Sequence, residues 1–221
     1  MGKRVRLCFV MVAITILASN VSDVSALWFG NATAPYDDSD TYETTPGEYH
    51  TVDADAISGI CEIQVNPKVW PLWYGKGLYG EAWVAEDVEM SETITATWYF
   101  TAQWDIDFRL NCGWGGKVKI EVRFLVMDAN EDEKQSKSAW SYTFTGPAFS
   151  WDDYENVNTD DSETEEFSCC LYSGYTYKFA VVLRVTVMND SGAIDVNART
   201  NHYAPAELTV DQITWSETPP D

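Results

Sequence analysis

Two histidines are all that the 221 residues contain, and fourteen lysines and arginines stand against thirty-five aspartates and glutamates. The first shortage bears on catalysis. Most nucleophilic triads need an imidazole base, yet His50 lies in a polar stretch and His202 in Asn201-His-Tyr-Ala-Pro205. Neither has a G-x-S-x-G partner. The second shortage bears on partners. A formal charge of −21 repels nucleic acid and anionic membranes, and suits a solvated surface, cations or basic partners. Long apolar runs are scarce too. Leu7 to Ala18 is the single long one, and its twelve residues fall short of the roughly 20 needed to cross a bilayer.

That run has a different meaning. Met1-Gly-Lys-Arg-Val-Arg6 precedes it, and Val24-Ser-Ala26 offers small residues after it. Basic start, short apolar core and small-residue site, in that order, are a secretory signal peptide, residues 1–26. Cys8 opens the apolar run rather than closing it, so a lipid-anchored cysteine is not expected. The remainder is read as secreted and extracellular, with no stable membrane insertion beyond the signal.

Cysteines are few. Four remain after residue 26: Cys61, Cys112, Cys169 and Cys170. An even number in an exported chain implies disulfides. A ring between the adjacent Cys169 and Cys170 would be strained. Strand phase favours Cys112–Cys169 with Cys61–Cys170, although Cys61 is itself in phase with Ile63 and Val65. The spacing fits no zinc pattern.

Helical periodicity is nearly absent; only Ala85 to Glu92 carries it, weakly. Period two takes its place. From Ile94 to Cys112 every even position is apolar, and Thr95, Thr97, Gln103, Asp105, Asp107 and Arg109 lie between them. Such alternation marks a half-buried strand. Val118 to Val126 repeats the even phase after Gly113-Trp-Gly-Gly116. Reading the two as a hairpin, the register that sets Asp107 opposite Arg123 and Arg109 opposite Glu121 joins opposite charges. Trp140-Tyr142-Phe144, Tyr175 to Val187, Ile194 to Ala198 and Leu208 to Trp215 add further strands. Asp152 to Glu166 reads as an acidic loop. The expected fold is an antiparallel β-sandwich of about eight to nine strands, resembling the jelly-roll or immunoglobulin-like modules of secreted proteins. Residues 27–55 form a loose polar arm and 56–221 a single sandwich domain.

No motif specifies a reaction. Trp104-Asp-Ile-Asp-Phe108 places two carboxylates on one strand face, as the carboxylate strand of retaining glucanases does. It lacks that strand's third acidic position and its terminal glutamates, so it reads as sheet surface. Oxygen-rich stretches make calcium the one candidate metal: Asp37, Asp38 and Asp40; Asp128, Glu131 and Asp132; and Asp152, Asp153, Asp160 and Asp161. No other cofactor is implied.

Aromatics are the most distinctive content, with ten Trp and twelve Tyr. Phase buries Trp98, Trp104, Trp140 and Tyr177. It does not bury Trp114 among its glycines, nor Trp70, Trp73, Tyr74 and Tyr79 in the stretch Asn66 to Gly80. These rings either cap the sandwich or stack on sugar faces, which makes Trp70, Trp73, Tyr74 and Trp114 the candidate ligand residues. Asn31-Ala-Thr33 and Asn189-Asp-Ser191 match the N-glycosylation sequon, with Asn31 and Asn189 as acceptors. The reading is a non-enzymatic extracellular module whose partner is a carbohydrate or another surface protein. A structural or adhesive surface subunit stands second and a glycoside hydrolase third.

Overall fold

Alternation along six long segments dictates the architecture of the computed structural model, which describes residues 28–44, 49–65, 77–112, 116–145, 153–189, 198–200 and 205–219. The described strands are β1 (Phe29–Ala32), β2 (Asp38–Glu43), β3 (Tyr49–Asp55), β4 (Ile60–Val65), β5 (Gly77–Glu89) and β6 (Trp98–Cys112). They continue with β7 (Gly116–Asp128), β8 (Glu133–Thr145), β9 (Asp153–Phe167), β10 (Thr176–Asn189), β11 (Ala198–Thr200) and β12 (Ala206–Ser216). All pairings are antiparallel. One sheet runs β9-β6-β12-β4-β3, with β11 also beside β6 and β1 also beside β12; the other runs β2-β5-β10-β7-β8. The chain is an all-β antiparallel sandwich, with twelve described strands rather than eight or nine. Among the described residues no helix is long and apolar enough to cross a membrane.

Period two places the core. Trp98, Phe100, Ala102, Trp104, Ile106, Phe108 and Leu110 of β6 are buried, while Gln103, Asp105, Asp107 and Arg109 are exposed. Val118 to Val126 of β7 and Tyr177 to Val187 of β10 supply the facing layer. Trp98, Trp104 and Tyr177 are core as expected; Trp140 is half-buried, edge-on to Trp104 at 5.7 Å between ring centres. The strand expected from Ile94 begins at Trp98, and Ile94 makes an isolated bridge to Leu171.

Four expectations are corrected. First, β6 and β7 are no hairpin. Asp107 faces Asn158 and Glu207, whereas Arg123 pairs in the other sheet and bonds Glu81. The two strands lie in different sheets, and strands facing each other across a core share the same inward phase as a hairpin would. Second, the acidic stretch is β9, paired with β6 in unbroken register from Asp153 to Phe167. No described strand covers its other edge, and charge on an edge strand discourages pairing with other chains. Third, the loose arm contributes β1, β2 and β3, each hydrogen-bonded into a sheet. Gly30 of β1 packs so closely on Trp215 that an added Cβ would lie 2.3 Å from its ring. Fourth, Ala85 to Glu89 belong to β5, so the weak helical periodicity of that stretch forms no helix.

The disulfide scheme also falls. Cys61, Cys169 and Cys170 are free thiols. Cys112 pairs with Asp153 at one end of β6, and Phe167, two residues before Cys169, pairs with Trp98 at the other. That separation is about 46 Å at about 3.3 Å per residue, and a disulfide needs Cα atoms within about 7 Å. Cys61 faces Leu208, which faces Ile106, again well along the sheet from Cys170. Burial pushes the Cys61 thiol far above its ordinary range and the Cys169 thiol up to about 11. Exposed Cys170 is expected to react with a disulfide reagent in the folded chain, and Cys61 only after denaturation. Labelling of Cys61 under native conditions would contradict its burial.

Candidate functional site

The two outer faces differ in kind. On the seven-stranded sheet, register aligns carboxylates. Asp107 faces Glu207, Glu207 faces Glu62, and Glu62 faces Asp53, a row crossing four strands. Asp105 faces Asp160 in the next row, beside a bulge between Val210 and Gln212 that leaves Asp211 exposed. Burial, reinforced by Glu207 and Asp53, raises the pKa of Glu62; burial and then Asp105 raise that of Asp211. Gln103, Asp105, Asp160, Ser162 and Asp211 line a shallow depression of about 550 Å³. Its carboxylates are open to water, and among the described residues no exposed ring stands beside them to hold a sugar. The Trp104-to-Phe108 carboxylates are thus sheet surface.

On the five-stranded sheet the outer face is ion-paired and partly aromatic. Trp83 lies with Ala85, Ala180, Val182 and Met127 in a small apolar cluster. Lys178 bonds Asp38 and Asp87, and Lys119 bonds Glu121 at 2.6 Å. At the β2 side, Tyr42 is 54% exposed and its ring centre lies 5.8 Å from that of Tyr79. The Arg184 guanidinium covers Tyr79 at 4.4 Å from the ring centre, and its Nε donates to Glu81 Oε1 at 2.5 Å. Register explains the gathering: Tyr42 faces Glu81 across β2–β5, and Glu81 faces Arg184 across β5–β10. One exposed ring, a half-buried ring beneath the guanidinium and a fixed guanidinium–carboxylate pair make an amphipathic surface that stacks on one side and hydrogen-bonds on the other.

The sequence reading reached only part of this. Trp70, Trp73, Tyr74 and Trp114 lie outside the described residues, as do Asp152 and His202. Tyr79, expected in a loop, is on β5 and in the site. Tyr42 was missed because its segment was read as an arm, and Arg184 because it sits in a strand explained by its apolar phase. Asn31 is exposed on β1 rather than in a loop; the Asn189 side chain is not described.

The oxygen-rich stretches have protein partners. Asp37 accepts the Asp87 N–H, and Asp128 bonds Lys134 and the N–H groups of Asn130 and Asp132. Asp160 and Asp161 are adjacent on a strand and point to opposite sides. Among the described residues no group of three His, Cys, Asp or Glu is placed to hold a metal.

No family model matches the sequence, and no curated protein matches it. Solved structures give distant likenesses. A family 35 carbohydrate binding module from Clostridium thermocellum is 14% identical, with 84% of this chain and 97% of that one covered, at a TM-score of 0.20. The xylan-binding module CBM15 is 9% identical over 89% and 100%, at 0.30. An isomalto-dextranase from Arthrobacter globiformis T6 is 13% identical over 80% of this chain, at 0.24, and the chain spans 23% of that enzyme. At such scores these likenesses carry no argument, and the sandwich rests on its own strand pairing.

Proposed function

We propose that this chain is a secreted, non-enzymatic binding module whose ligand is a carbohydrate. The observation that carries the reading is the exposed Tyr42 ring, paired with the half-buried Tyr79 and beside Glu81 and Arg184. A pyranose presents C–H groups on its faces and hydroxyls at its rim. Aromatic rings take the first and charged planar side chains take the second. Hydrolysis is disfavoured because the clustered carboxylates lie in a shallow, wet depression, where neither water exclusion nor oriented substrate is provided.

Affinity electrophoresis of the intact chain through a panel of soluble polysaccharides tests the reading. Retardation by at least one polysaccharide is expected, with no reducing ends released. Tyr42→Ala should weaken that binding about ten-fold, the 1.4 kcal/mol equivalent of one good stacking contact, while leaving the melting temperature nearly unchanged because the ring is half in solvent. No retardation by any member would reject the reading. The structural or adhesive alternative would use a sheet edge, and the long β9 edge suits it in length; its seven carboxylates weigh against pairing at neutral pH.

A further inference from the structure

Glu81 is the centre of a relay across the five-stranded sheet. Its Oε1 accepts from Arg184 Nε and also from Arg123 Nη1 at 3.2 Å. Arg123 continues through Nη2 to Ser136 Oγ at 2.8 Å, and Ser136 donates to Glu133 at 2.7 Å on the far side of the sheet. One carboxylate therefore answers two guanidiniums. Glu121, the other cross-strand neighbour of Arg184, is already met by Lys119. Asp40 lies one row away, opposite Trp83. Arg184, Arg123 and Lys119 are thus balanced by Glu81, Glu121 and Glu133, so the surroundings of Arg184 are neutral in a chain of formal charge −21.

Arg184 is also held in orientation. Its Nε is committed to Glu81 and its flat face to Tyr79, while a quarter of the side chain remains open to solvent. A guanidinium fixed this way pairs with a carboxylate through two parallel N–H donors, without first losing the freedom of a loose arginine. Tyr42 stands two inter-strand steps away, about 10 Å between Cα atoms. A sugar ring with its carboxylate, met by the arginine stem, spans that gap.

We infer that the Tyr42–Tyr79–Arg184 site takes an acidic sugar, a hexuronate, with its ring on Tyr42 and its carboxylate on the Arg184 guanidinium. The inference rests on the carbohydrate reading above and adds the ligand's charge. Calorimetric titration of the intact chain with two matched pairs tests it: α-1,4-linked trigalacturonate against galactotriose, and β-1,4-linked triglucuronate against cellotriose. In at least one pair the acidic member should bind ten-fold more tightly or better than its neutral partner. Arg184→Gln should erase that difference, costing the acidic member about ten-fold more affinity than its neutral partner; Arg184→Lys, which keeps the charge and loses the planar pair of donors, should fall between. Thermal melting of each variant separates a lost contact from a lost fold, and a variant that does not fold is replaced by the salt dependence of wild-type binding, which should be steeper for the acidic member. Equal affinity within both pairs, or a preference that survives Arg184→Gln, overturns this inference and leaves the carbohydrate reading intact. No binding of any of the four sugars overturns this inference, while the carbohydrate reading stands or falls with the polysaccharide panel.

Discussion

Trp98→Ala should lower the melting temperature by roughly 6–20 °C. Trp98 is fully buried at the start of β6 and holds the two sheets together by its ring. It stacks on Phe167 of its own sheet at 4.9 Å and on Phe179 of the opposite sheet at 5.1 Å, with Trp28 edge-on at 5.6 Å. Its indole N–H donates to the Cys169 carbonyl at 3.1 Å, tying down the segment that follows β9. Emptying such a site costs about 3–5 kcal/mol, and a domain of this size shifts by about 2–4 °C per kcal/mol. Trp98→Phe keeps most of the stacking and loses the hydrogen bond, so its shift should be much smaller. A thermal scan of the two variants decides the matter; an alanine shift below about 3 °C would mean that the ring does not clamp the sheets.

The carboxylate row leads to a prediction of opposite sign: Glu62→Gln should stabilise the protein at pH 7. Glu62 faces Glu207 on one side and Asp53 on the other. Each like-charged cross-strand pair costs roughly 0.2–1 kcal/mol, so relieving two gains roughly 0.4–2 kcal/mol. The wild-type pH profile follows from the same groups. Glu62 has its pKa raised, first by burial and then by its neighbours, and Glu86 is pushed up to about 7 by burial with Asp37 and Asp87 adding to it. A carboxyl with a raised folded pKa contributes stability that is fully present below its unfolded value, about 4.3, and lost as pH rises through the folded one. The melting temperature should therefore climb as pH falls from 8 to about 5. Further acidification should lower it again, because hydrogen bonds hold Asp55 and Asp128 below their ordinary range and their contribution is lost as they protonate. Differential scanning calorimetry across pH 3 to 8 checks both limbs; a wild-type profile that is flat from 5 to 8, or a Glu62→Gln variant less stable at pH 7, would remove the row as a source of strain.

What could be read in advance was the direction each side chain points. Phase along β6, β7 and β10 identified the buried face nearly residue by residue, because burying one face of a half-wet strand requires period two. It could not say which strands pair. β6 and β7 have the same inward phase whether they lie side by side or face each other, and charge matching between Asp107 and Arg123 selected a register for a pairing that does not exist. β9 was illegible for a different reason: it is an edge strand whose residues from Asn156 to Glu166 are polar with the exception of Val157, so alternation fails. The candidate site was hardest of all. Tyr42 and Arg184 are 142 residues apart and meet only because β5 lies between β2 and β10. Either residue alone reads as ordinary strand surface.

The seven-stranded sheet has a peculiarity of sequence order. Its middle strand, β12, is the last one in the described chain, and it separates β6 from β4 and β1. Among the described residues β6 pairs with neither β4 nor β1, and Ala206–Ser216 joins all three. For a chain delivered amino terminus first, whether from a ribosome or through a membrane pore, the β3–β4 and β6–β9 pairs can form early but cannot be joined into one sheet before the last strand arrives. The five-stranded sheet can assemble once β10 emerges, 27 residues before β12 is complete (216 against 189), and would hold the apolar inner faces of β4 and β6 without the neighbour they share. Completion is then a single insertion event, with β12 closing three ladders at once.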